Sequence, residues 1–114
     1  MKKFKRKGVY LPPDFINSDN FAKLTKSEMH IYIVFLSKIW KKPKGVKQSK
    51  WEKSGVGIKY PYAEMRADFG YTDRTISRSI SNLVDYGYLI ITRRGSQQGS
   101  ESRPTIYEIP KQYI

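Results

Sequence analysis

Two arginines, Arg74 and Arg78, stand one helical turn apart among small hydroxyl side chains, Thr72, Thr75, Ser77 and Ser81. Arginine can hold guanine O6 and N7 bidentately, while Ser and Thr hydroxyls usually take phosphate oxygens. These residue types at this spacing could therefore read a nucleic-acid groove. Arg93, Arg94 and Arg103 bracket a Ser/Gly/Gln stretch. They are either three solvated charges or a clamp on a nucleic-acid backbone. Lys44, Lys47 and Lys50 lie in segment 41–53, which carries six lysines against one glutamate. That segment is too basic and too broken to be core, so it is a solvated loop or a phosphate-contacting one. Trp51 within it can anchor the loop or stack on a base.

Other chemistries find less support. His30 is the single histidine and has no neighbouring carboxylate or thiol constellation, so it reads as a surface or packed residue. Tyr60 and Tyr62 could in principle be nucleophiles of a strand-transfer reaction. Such chemistry usually needs a metal site, and the nine tyrosines are more easily read as core and stacking residues. No enzymatic activity, metal or cofactor is expected. Zero cysteines exclude disulfides and cysteine-ligated metal and suit a reducing cytoplasm. The net charge of +12 favours a polyanionic partner. The longest apolar run, 31–36, is far too short to span a bilayer, and no apolar signal core follows the basic N-terminus.

The elements that must position these residues are legible between 60 and 94. Phe69-Gly70-Tyr71-Thr72 reads as a tight turn between two helices. Gly70 can take the positive φ of a sharp helix end, and Thr72 is a good N-cap for the second helix. That helix is expected over 73–86. Wound at helical spacing, Ile76, Ile80, Leu83 and Val84 form an apolar arc. Arg74, Ser77, Arg78, Ser81 and Asp85 form the opposite one. Gly87 ends the helix as a left-handed cap, with Tyr88 packing back. A strand, Leu89-Ile90-Ile91-Thr92, comes directly after the cap. The first helix of the pair starts at Pro61 as N1, with Tyr62, Met65 and Phe69 facing inward.

The rest of the chain supplies a frame. Thr25-Lys26-Ser27-Glu28 is a capping box, with Leu24 and Met29 as a hydrophobic staple. The helix it opens is expected to run to about residue 42, where Pro43 and Gly45 stop it. Met29, Tyr32, Ile33, Leu36, Ile39 and Trp40 make its buried stripe. Ile31 and Val34 fall outside that stripe, among His30, Lys38 and Lys41. Either segment 9–15 folds back over them, which is the favoured reading, or a second copy covers them. Val9-Tyr10-Leu11 reads as extended, with Pro12-Pro13 forbidding a helix and Phe15, Ile16 and Phe21 as core anchors. Ser54-Gly55-Val56-Gly57 reads as a hairpin turn, flanked by strands at 50–53 and 58–60. After 89–94, residues 95–100 read as a flexible wing tip, and 104–109 return as a strand with Tyr107 and Ile109 inward.

The run from Gly70 to Ile80, then Leu83, then Tyr86-Gly87-Tyr88-Leu89-Ile90 resembles the winged helix-turn-helix superfamily. It is most like small winged-helix proteins of bacterial phages and plasmids, some of them replication initiators. Leu11-Pro12-Pro13-Asp14-Phe15, the capped helix and the lysine-rich loop extend the resemblance over nearly the whole chain. It implies a mostly α fold with a small antiparallel sheet (α+β). One domain over 9–114, with a recognition helix at about 73–86 and a wing at about 89–109, comes after a basic arm at 1–8. The exposed arc of the recognition helix would face the major groove of double-stranded DNA. Arg66 departs from the pattern, because such motifs usually place a small residue there. Either the helix pair packs less closely, or Arg66 turns outward. The function expected is sequence-specific DNA binding in transcriptional regulation or replication of a mobile element, in the cytoplasm, with a homodimer left open. The alternative is a protein-interaction or RNA-binding module.

Overall fold

The computed structural model describes residues 9–41, 52–98, 101–103 and 105–114. The arm at 1–8 and the loop bearing Lys44, Lys47, Lys50 and Trp51 lie outside the described residues. Among the described residues the fold is mixed α/β, with four α-helices and a three-stranded antiparallel sheet around one core. No helix among the described residues is long and apolar enough to cross a membrane.

The frame is the helix α2 (Lys26–Ser37), opened by the expected capping box. The Thr25 hydroxyl accepts the Glu28 N–H, and the Glu28 carboxylate accepts the Thr25 N–H at 3.0 Å. This satisfies two orphan donors of the first turn. The helix ends well before residue 42. At Ser37 the hydroxyl donates back to the Val34 carbonyl at 2.6 Å, a local bond that competes with helix continuation. Ile39 and Trp40 then turn extended. The Ile39 carbonyl accepts the Ser54 N–H at 2.7 Å, and β1 (Trp40–Lys41) pairs antiparallel with β2 (Glu52–Lys53). Strand pairing therefore wins over the terminal helical turn.

The same pairing removes the expected hairpin at 50–60. β2 pairs with β1, whereas β3 (Ile58–Lys59) joins a different sheet. Ser54 to Gly57 is the passage between the two. Gly55 is buried there because the C-terminal segment crosses it: its carbonyl accepts the Ile109 N–H at 2.7 Å, and a Cβ on it would stand 2.5 Å from the Ile109 carbonyl oxygen.

Burial of α2 also differs from the expected stripe. Ile31, Tyr32, Val34 and Phe35 are all fully buried, while Met29, Ile33 and Trp40 are only partly so. Ser27, Ile31, Val34 and Lys38 recur at helical spacing on one face. At one end of that face Ser27 bonds Ser79, and at the other Lys38 pairs with Glu64 at 2.7 Å. The face read as half-polar is thus the one that seats the helix pair within 62–85. Ile31 and Val34 are buried within a single chain, so no second copy is needed to cover them. Segment 9–15 reaches a different face of α2. Phe15 packs on Tyr32 at 4.8 Å and on Tyr88 at 4.9 Å, while Val9 and Tyr10 stay exposed.

Pro12-Pro13 does not forbid a helix. Pro13 is the first residue of the one-turn α1 (Pro13–Ile16), the position where a missing N–H and a fixed φ are tolerated. Phe15 is the core anchor expected, but its neighbour Ile16 points out to solvent. Tyr113, in a terminal 3₁₀ turn at Lys111–Tyr113, closes the aromatic cluster against Tyr88. Burial raises the Tyr32 hydroxyl far above the ordinary phenol range, and that hydroxyl has no hydrogen-bond partner among the described residues.

α3 (Tyr62–Phe69) begins after Pro61, which is its N-cap rather than its first residue, and ends on Gly70 at φ 73°. α4 (Asp73–Asp85) begins shortly beyond that turn. The Thr72 hydroxyl accepts the Thr75 N–H, as an N-cap should. The far end is a Schellman motif: the Tyr88 N–H reaches the Leu83 carbonyl and the Gly87 N–H the Val84 carbonyl, with Gly87 at φ 82°. Tyr88, buried in the aromatic cluster, is the side chain that packs back. Arg66 turns outward and pairs with Asp73 across the turn.

Beyond the cap, β4 (Ile90–Arg93) runs antiparallel to β7 (Ile106–Glu108), and β3 pairs on the other side of β7. The sheet order is therefore β3-β7-β4. The register shifts between Ile91 and Arg93, a bulge of the kind that re-aims the side chains after it. The stretch expected to be a flexible tip is a ladder instead. β5 (Ser96–Gln98) pairs with β6 (Glu101–Arg103), because backbone bonds can extend a hairpin without any apolar side chain.

Candidate nucleic-acid interface

α4 divides as its spacing predicts. Ile76, Ile80 and Leu83 are buried, joined by the small Ser79, and Arg74, Ser77, Arg78, Ser81 and Asp85 are exposed. Three contacts set its position. Ser79 meets Ser27 at 3.0 Å, and the Asn82 amide donates to the buried Glu28 carboxylate at 2.8 Å. The turn before it is held by Tyr71, whose hydroxyl meets His30 Nδ1 at 2.9 Å. His30 also stacks on Phe69 at 5.3 Å, so it is a packed residue.

The six hydroxyl and arginine side chains singled out on this helix are not equivalent. Thr72 is occupied as the N-cap and donates its own proton to the Thr75 hydroxyl at 3.2 Å. Thr75 is half-buried beside it. Ser77 and Ser81 are exposed without such duties. Arg74 and Arg78 are exposed and have no ion pair among the described residues, while the one acid of the first turn, Asp73, is taken by Arg66. The exposed face therefore carries two uncompensated guanidinium groups flanked by hydroxyls.

Arg93 and Arg94 are exposed where the bulged β4 leaves the sheet. Arg103 stands opposite Ser96 in the outer ladder. Between α4 and the hairpin lies a cleft of about 270 Å³, and it brings Ser77 and Ser81 together with Arg94. Its floor is the apolar edge of Ile80, Val84 and Ile91. Sequence spacing did not associate Tyr62, Thr105 or Tyr107 with this site, yet all three line the cleft. The inward alternation of Tyr107 was legible, but what its hydroxyl end would meet depends on sheet register.

The Tyr107 phenol is pushed up to about 12, chiefly by burial, with Tyr62 adding to the effect and Arg94 opposing it. Tyr60 is buried, and its hydroxyl donates to Asp68 at 2.8 Å. Among the described residues there is no group of three or more potential metal ligands. No family model, curated protein or solved structure matches the chain.

Proposed function

We propose that this chain is a winged helix-turn-helix protein that binds double-stranded DNA sequence-specifically and has no enzymatic activity of its own. It would regulate transcription or assist replication of a mobile element. The observation that carries the reading is the exposed arc of α4, with Arg74 and Arg78 uncompensated, Ser77 and Ser81 beside them, and the only first-turn acid withdrawn by Arg66. Two further features support it. The order α3, turn, α4, then an antiparallel hairpin sharing a sheet with β3, suits a reading helix with a wing after it. A net charge of +12 suits phosphate neutralisation. In this reading the arginines address guanine edges and the hydroxyls address phosphates.

The test is a titration against duplex DNA, single-stranded RNA and heparin at two salt concentrations, and then selection of preferred duplexes. Arg78→Ala should cost about 1–3 kcal/mol of discrimination at one base position. Equal weakening on selected and random duplexes would reduce Arg78 to a phosphate contact. Preference for RNA, or indifference among the three polyanions, would replace the reading.

A further inference from the structure

We propose that the cleft between α4 and the β4–β7 hairpin seats one phosphodiester group, held by the hydroxyls of Tyr62 and Tyr107 and the Arg94 guanidinium. This rests on the DNA-binding reading and adds to it a backbone site that neither α4 nor the wing forms alone.

The first support is Tyr107. It is 3% exposed, its ring packs edge-on against Phe35 at 4.9 Å, and its hydroxyl has no hydrogen-bond partner among the described residues although the residue lines the cleft. The ring is buried while its hydroxyl end opens to the cleft, so an acceptor delivered there meets a donor that no group among the described residues engages. Burial also keeps the phenol protonated at any working pH, which makes it a donor there.

The second support is the balance of the lining. Tyr62, Ser77, Ser81 and Thr105 add hydroxyls, and Arg94 adds a guanidinium with no ion pair among the described residues. The Thr105 oxygen already accepts the Gly95 N–H at 2.8 Å, so its proton remains to be donated. Such a set is rich in donors and suits an oxyanion. Asp85 is the single acid of the cleft, at the last residue of α4 where the helix dipole is also negative. It opposes a dianion more than a monoanion, so the seat favours a diester over a phosphomonoester. At about 270 Å³ the cleft falls below the size of most pockets for drug-sized ligands, which suits one small group.

The same chemistry could come from a DNA backbone or from a free phosphorylated molecule, and the experiment separates them. Tyr107→Phe removes one oxygen and leaves the ring in place, so its melting temperature should be kept or raised. Duplex affinity should fall about 3–10-fold, equally on selected and random sequences, because phosphate contacts carry no sequence information. Duplexes with a single methylphosphonate moved along each strand should reveal one linkage whose neutralisation weakens the wild type and leaves Tyr107→Phe unaffected. In parallel, inorganic phosphate is titrated while the tyrosine ring resonances are monitored. Saturable phosphate binding lost in Tyr107→Phe, with no linkage coupled to Tyr107, would assign the cleft to a free effector and overturn the diester seat. Undiminished duplex affinity in Tyr107→Phe would overturn the seat and leave DNA binding standing. A wild-type chain that binds no duplex would remove the DNA-binding reading and the diester seat with it.

Discussion

Glu28 joins two elements that are 54 residues apart in sequence, and truncating it tests whether that junction positions α4. Its side chain is 2% exposed. One oxygen accepts the Thr25 N–H at 3.0 Å and the other the Asn82 amide at 2.8 Å. Glu28→Ala removes half of the capping box, worth about 1 kcal/mol by analogy with other caps. It also removes a hydrogen bond to a charged acceptor, about 1.5–3 kcal/mol, and strands the Asn82 amide at the interface. The expected loss is about 3 kcal/mol, or roughly 12 °C in Tm for a domain of this size. Denaturant unfolding measures it, with Glu28→Gln as the control that keeps size and one acceptor. The decisive quantity is the coupling with Asn82→Ala, which should be about 1 kcal/mol or more. Additivity of the two substitutions within about 0.5 kcal/mol would refute the junction, even if Glu28→Ala alone were costly.

Packing and titration give three other outcomes. Gly55→Ala should destabilise by about 1–3 kcal/mol in a thermal melt, since the new Cβ would meet the Ile109 carbonyl oxygen at 2.5 Å and both partners are backbone. Ile31→Ala should cost about 2–5 kcal/mol with no change in sedimentation, because Ile31 is buried inside one chain; a stable variant that dissociates would instead make this face an interface. The Tyr107 contribution to stability should be constant below about pH 10 and be lost as the pH rises from about 10 toward 12, where an unfolded Tyr107 would lose its proton and the native one keeps it. The native state then holds more protons than the unfolded state, so the slope is negative, and Tyr107→Phe should make it shallower while the share of Tyr32 and Tyr88, both also raised by burial, remains.

Local signals were the legible ones. The Thr25 capping box, the Gly70 and Gly87 caps and the two arcs of α4 each depend on residues within a few positions of one another, and each is where the spacing put it. Misreadings arose where a distant partner decides. Ile39 and Trp40 continue a helical pattern, yet Ser54 and β2 supply strand partners that no local rule reveals. His30, Lys38 and Lys41 made one face of α2 look polar, but Tyr71 meets His30 and Glu64 meets Lys38 there. Ser96–Gln98 lacks any apolar signal, yet its backbone pairs with Glu101–Arg103. The cleft escaped notice for the same reason, because Tyr62, Arg94 and Tyr107 come from three separate stretches of the chain.

Those distant partners also explain where the charge ends up. With 22 lysines and arginines against 10 acids, the chain is basic by composition, and composition cannot say which face is most so. The fold decides it by engaging carboxylates internally. Glu28 holds Asn82, Glu64 holds Lys38, Asp68 holds the Tyr60 hydroxyl and Asp73 holds Arg66. Glu28 is buried behind α4, while Asp73, the first residue of the helix, is engaged at its exposed end. Arg74, Arg78 and Arg94 are exposed without an ion pair among the described residues, and Asp85 is an acid exposed on the same side of α4. The Glu28–Asn82 and Asp73–Arg66 contacts to α4 thus also engage carboxylates that could compete for the arginines. The network that positions the helix and the potential that would draw a polyanion to it are, in this chain, one arrangement.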